Sequence, residues 1–90
     1  MPTLLFKPQD SYPLTTSSRQ ILPVNEQRKF LSFQNLGTVN VWVQFSRDAA
    51  FEECLRLAPG GFTAYDIVIP GNEIFARAES GTSKLVVTEA

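Results

Sequence analysis

Residues 39–45 alternate without a break. Val39, Val41, Val43 and Phe45 fall on one side of a two-residue period, and Asn40, Trp42 and Gln44 on the other. That period belongs to a strand with one buried face and is incompatible with an amphipathic helix over the same residues. Just before it, residues 29–35 carry Leu31 and Phe33 in phase, and Asn35-Leu36-Gly37-Thr38 supplies turn chemistry between the two runs. Two alternating runs joined by such a turn predict a β-hairpin.

The same grammar repeats along the chain. Strands are expected over residues 20–24, 53–57, 62–69, 73–79 and 84–89. They are punctuated by Asn25-Glu26-Gln27, Pro59-Gly60-Gly61, Pro70-Gly71-Asn72 and Ser80-Gly81-Thr82. Residues 46–52 read as a loop or a single helical turn. No segment is long enough for an amphipathic helix, so crossover connections and a parallel sheet are not expected. About seven short strands at spacings near ten residues predict an all-β fold. An antiparallel β-sandwich or a partly open barrel is expected.

Residues 1–18 read differently. Pro2, Pro8 and Pro13 are spread through them and Thr15-Thr16-Ser17-Ser18 closes them. Proline removes ladder donors and disfavours helix, which predicts an extended N-terminal arm followed by a sandwich domain over residues 19–90. Leu4, Leu5, Phe6, Tyr12 and Leu14 give the arm apolar anchors. Such an arm either lies across its own domain, as an edge strand for example, or docks on a neighbouring subunit.

Ninety residues amount to one domain. A chain of that size buries only about 60–65% of the surface its unfolded form exposes, so a partner surface would add to a thin core. A net charge of −1, with the charges scattered, gives no electrostatic basis for binding nucleic acid or an anionic membrane. No apolar run approaches the roughly 20 residues that span a bilayer. No basic start is followed by an apolar run, so no secretion signal is expected. A single cysteine, Cys54, rules out an internal disulfide and fits synthesis in a reducing cytoplasm.

The residues of chemistry are scarce. There is no histidine, hence no Ser-His-Asp or Cys-His arrangement and none of the commonest metal ligand. Cys54 has Arg56 two residues on, yet reads as a small apolar residue in or near a sheet. Glu52 and Glu53 point to opposite faces if extended, and with Asp48 and Asp66 they lack the spacing of a calcium loop. Gly60-Gly61 has neither a Walker lysine nor a following helix and reads as a tight turn. No catalytic residue, metal site or cofactor is expected, and no enzyme.

Trp42 is the side chain of most interest. It shares its face with Asn40 and Gln44 and so points away from the expected core. It is either covered by the arm or by residues 46–52, or it anchors another protein, or it serves as a platform for a sugar or base.

From Ile21 to Glu89 the chain resembles a family of small β-rich virion proteins of tailed bacteriophages. The resemblance is carried by Arg28-Lys-Phe-Leu-Ser-Phe-Gln-Asn35, the Val-x-Val strand over residues 39–43, and Leu57-Ala-Pro-Gly-Gly61 followed by Phe62 and Tyr65. Ile74-Phe-Ala-Arg-Ala-Glu-Ser-Gly-Thr-Ser83 leading into Val86-Val-Thr-Glu89 completes it. The family implies a structural role in a symmetric assembly. The expected function is that of a capsid decoration or cement protein on the virion surface. It would bind the major capsid protein, or another virion protein, through Leu4, Leu5, Phe6 and Tyr12 on the arm and Trp42 on the sheet. A homo-oligomer is expected, with a trimer among the candidates. The alternative is a head-fibre or tail-associated module that binds a host glycan or receptor.

Overall fold

The computed structural model describes residues 3, 5, 6, 8–49 and 55–90. They form eight strands and no helix: β1 (Asp10–Leu14), β2 (Arg19–Leu22), β3 (Leu31–Asn35), β4 (Val41–Phe45), β5 (Leu55–Leu57), β6 (Phe62–Tyr65), β7 (Ile74–Ala78) and β8 (Ser83–Glu89). Two four-stranded antiparallel sheets result, ordered β1-β8-β3-β6 and β2-β7-β4-β5. Each successive pair, β1 with β8 and β2 with β7, runs from the outside of the sequence inward. This is the double Greek-key wrapping of a jelly roll. The antiparallel sandwich expected from the alternation is therefore what forms.

The two-residue period explains the core. Leu31 and Phe33 from β3, Val41 and Val43 from β4, Ile74, Ala76 and Ala78 from β7, and Leu85 and Val87 from β8 are all buried between the sheets. Burying a side chain of the valine-to-phenylalanine class contributes roughly 1.5–3 kcal/mol. In this small domain the central strands, β3, β8, β4 and β7, dominate that sum.

Three sequence expectations change. The hairpin over residues 29–45 does not form: β3 pairs with β8 and β6, and β4 pairs with β7 and β5. Residues 36–40 arch from one sheet to the other, because both strands present a buried face and each takes a central place in its own sheet. The arm takes the first of its two expected courses, across its own domain, so the sandwich begins before residue 19. Its second half is β1, an edge strand in register with β8 from Asp10↔Val87 to Leu14↔Ser83. Proline is tolerated on an edge, and Leu14, buried to 1% exposure, ties the strand down. Finally, the strand expected over residues 62–69 stops at Tyr65. Its partner β3 begins at Leu31, opposite Tyr65. The amides of Lys29 and Phe30, just before β3, donate instead to the carbonyl of Ala90 (2.6 and 3.2 Å). Residues 66–69 have no ladder to join.

Candidate functional site

Strand direction sorts the connections into two ends. One end gathers short links: residues 15–18, 36–40, 58–61 and 79–82. The other gathers, among the described residues, 23–30, 46–49 and 66–73, together with residues 5 and 6 and the C-terminus. The links at this second end are about twice as long, and longer loops are where binding residues usually sit.

Arg28 holds the long-loop end together. Its side chain is fully buried and its Nε pairs with the Glu89 carboxylate. One Nη donates to the carbonyls of Pro70 (3.0 Å) and Asn72 (2.8 Å), and the other to that of Pro23 (2.7 Å). A single planar fork thus joins the 23–30 loop, the 66–73 loop and the end of β8, which a point charge such as lysine does not reproduce. Asn25 adds a side-chain bond to Glu89 (3.3 Å) and a backbone bond from its amide to the Gly71 carbonyl (2.9 Å). A Cβ on Gly71 would stand 3.2 Å from the Asn25 carbonyl oxygen and from the Glu26 Cα, so the two loops are in close contact there. Asn72 reaches across to the Ser46 hydroxyl (2.6 Å), and the Ser46 amide donates to the Glu73 carbonyl (2.9 Å).

These ties fix the loop bases, while the tips carry apolar side chains into solvent. Ile67 is 88% exposed and Val68 83%, with Val24 on the neighbouring loop about half exposed. Between the two loops lies an open cleft of about 470 Å³, with Val24 and Ile69 as its apolar wall and Asn25, Glu26, Asn72 and Glu73 as its polar rim. The arm arrives at the same end: Phe6 sets its ring edge-on to Phe30 with centroids 5.2 Å apart, and Leu5 is almost fully exposed. Of the seven exposed large hydrophobics among the described residues, five (Leu5, Phe6, Val24, Ile67 and Val68) lie here.

The expected contact residues fare unequally. Leu5 and Phe6 join this surface. Leu4 lies outside the described residues. Tyr12 is half-buried in β1, packed against the core, with the Arg19 guanidinium 5.8 Å from its ring centre. Trp42 is only 8% exposed, which removes it from the accessible surface. On the outer face of its sheet it stands between Arg56 and Arg77 in register. The start of the 46–54 loop folds onto that face: the Ala49 amide donates to Ser18 Oγ (2.8 Å) and its carbonyl accepts from Arg77 (3.5 Å). Sequence reasoning does not single out Ile67, Val68 or Val24. The available signal is the run of β-formers over residues 62–69, which outlasts the strand.

The space between the sheets is occupied by the core side chains. Among the described residues no group of three His, Cys, Asp or Glu side chains comes together as a metal site. No helix among them is long and apolar enough to cross a membrane.

No protein-family model matches this chain, and no curated protein does. Solved structures do match in fold. The protein TT1209 of Thermus thermophilus superposes with a TM-score of 0.61 at 24% identity, over 89% of this chain and 68% of that one. A de novo designed double-stranded β-helix superposes at 0.63 and 14% identity, over 93% of this chain and 100% of the design. A cupin superfamily protein from Desulfitobacterium hafniense DCB-2 superposes at 0.53 and 13% identity, over 89% of this chain and 62% of that one.

Proposed function

We propose that this chain acts by binding another protein rather than by chemistry, and that the long-loop end is its contact surface. The match of 93% of this chain to a designed double-stranded β-helix gives the scaffold, and a scaffold of this kind carries unrelated functions. The observation that carries the reading is the concentration of exposed apolar side chains at one end, three of them (Val24, Ile67 and Val68) on loops whose bases Arg28 fixes. Exposed apolar clusters on a small domain mark interaction sites, and rigid loops lose little entropy on docking. The sequence contains no histidine, and among the described residues the core between the sheets is made of aliphatic side chains and Phe33.

The narrower role rests on the resemblance of residues 21–89 to small virion proteins. In that role the protein is a decoration or cement protein whose apolar end seats on the major capsid protein. Contacts repeated by symmetry would stabilise the shell by mass action. The alternative, recognition of a host glycan, draws on exposed aromatic rings. Phe6 is the only ring among the five exposed side chains at this end, and Trp42 is buried.

The test is co-sedimentation with shells assembled from the major capsid protein encoded in the same genome. The wild-type chain should pellet with the shells and stay in the supernatant without them. A chain that never pellets, or a genome with no capsid gene, removes the virion role.

A further inference from the structure

Sheet edges are where β-proteins pair with one another, and this fold has four: β1 and β6 in one sheet, β2 and β5 in the other. Three of them carry features that block further pairing. β1 contains Pro13, β2 begins at the exposed Arg19 and its register shifts between Gln20 and Leu22, and β5 is three residues long with the exposed Arg56 at its centre. β6 carries none of these. Its residues Phe62, Thr63, Ala64 and Tyr65 are uncharged, free of proline and in unbroken register with β3.

Hydrogen bonds show which backbone groups on β6 face outward. The Asn35 amide donates to the Gly61 carbonyl (2.9 Å), whereas the next amide, that of Leu36, turns the other way to Lys84 (2.9 Å). Antiparallel ladders alternate in this manner. The N–H and C=O groups of Thr63 and Tyr65 therefore serve β3, and those of Phe62 and Ala64 point away from the sheet. The side chains of the same two residues are exposed, Phe62 to 60%. Leu36 lies two residues past Gln34, which is in register with Phe62. Leu36 and Phe62 are the two exposed large hydrophobics among the described residues that the long-loop end does not account for.

We propose that β6 pairs antiparallel with β6 of a second copy, about a two-fold axis at Thr63, joining two four-stranded sheets into one of eight. In that register Thr63 faces the partner's Thr63, and Phe62 lies opposite the partner's Ala64, a ring beside a methyl group. Phe62 and Ala64 of each copy exchange backbone hydrogen bonds with their counterparts. Self-complementarity selects a second copy as the occupant: a two-fold contact needs a strand that fits itself. No like charges meet, because the nearest charged residue, Asp66, falls opposite the partner's Gly60. Threonine pairs and aromatic–small pairs of this type stabilise a ladder. The contact leaves the long-loop end open, and because the two β6 strands run antiparallel the two long-loop ends lie at opposite ends of the joined sheet, so a dimer can bridge two partners.

Analytical ultracentrifugation of the full chain from micromolar to millimolar concentration tests this. A reversible dimer is expected. Ala64→Lys and Phe62→Lys should each raise its dissociation constant at least about tenfold, with a thermal midpoint unchanged at concentrations where the wild-type chain is monomeric. The register is tested separately with Thr63→Cys in a Cys54→Ser chain. Facing residues of a non-hydrogen-bonded pair are about 4.5 Å apart at Cα, within disulfide reach, so this variant should cross-link on oxidation, whereas Ser11→Cys on β1 should not. A monomer throughout the range overturns the proposal. So does a dimer indifferent to both lysines, or one in which Thr63→Cys fails to cross-link.

Discussion

The two ends of the sandwich solve the same problem with different chemistry. At the short-loop end the buried polar group is Asn35. Its amide nitrogen donates to the carbonyls of Val39 (2.8 Å) and Leu57 (2.9 Å), and its oxygen accepts from the Gly37 amide (2.9 Å) and the Ser83 hydroxyl (2.9 Å). A neutral side chain suffices because the links are four or five residues long and already lie close together. A Cβ on Gly37 would collide with the Ser83 side chain, which shows how tightly this end is closed. At the long-loop end the links are about twice as long, and a charged guanidinium takes the place of the amide. The short end is built to be shut. The long end has firm bases and greasy tips, which is the form of a surface meant to be covered. Where a small domain uses its strongest polar tie is thus a clue to where its function lies.

Four sets of variants separate the contributions of the two ends. Removing residues 1–18 should have the largest effect, because it takes away β1 and the buried Leu14 and bares the edge of β8. A domain of this size is stable by about 5–13 kcal/mol, and that truncation should leave it largely unfolded by circular dichroism. Removing residues 1–9 should cost only the Phe6–Phe30 contact and the exposed Gln9–Thr88 hydrogen bond, about 1–3 kcal/mol together. Equal stability of the two truncations would show that β1 contributes nothing.

Next in size is Arg28→Ala. Taking one partner from a buried pair costs about 3–5 kcal/mol, measured as a lowered urea midpoint. Arg28→Lys should recover only part of the loss, since lysine lacks the fork. Asn35→Ala should follow at about 3 kcal/mol, because two carbonyls, an amide and a hydroxyl lose a partner together. If Asn35→Ala proves the more damaging, the long-loop end is not the more strongly tied of the two. The smallest effect on stability belongs to Ile67→Asp with Val68→Asp, within about 0.5 kcal/mol of wild type by urea denaturation. A large loss there would mean that the tips are packed in solution.

Much of this fold is legible in the sequence, and the exceptions have physical causes. Val41, Val43, Ile74, Ala76 and Leu85 reveal their strands because a two-residue period is a local property. Which sheet a strand joins is not local. Residues 36–40 have the chemistry of a turn whether they close a hairpin or arch between sheets, and the choice is made by β8 and β7, far along the chain. Pro13 argues against a strand everywhere except on an edge, and edges are assigned only by topology. Trp42 faces away from the core as its phase requires, yet it is only 8% exposed there. Arg28 looks like any other cation beside a strand until Glu89, Pro70 and Asn72 are brought to it. The apolar tip is the hardest to foresee: Ile67 and Val68 read as strand, and only the early end of β3 leaves them outside the ladder.

A binding surface at the long-loop end depends on its apolar tips. The most direct measurement is the affinity of the Ile67→Asp/Val68→Asp chain for capsid shells, set beside that of wild type at matched stability. Loss of two buried apolar anchors at the centre of an interface should weaken binding by about 100-fold or more. Undiminished binding by a folded double variant would contradict the account.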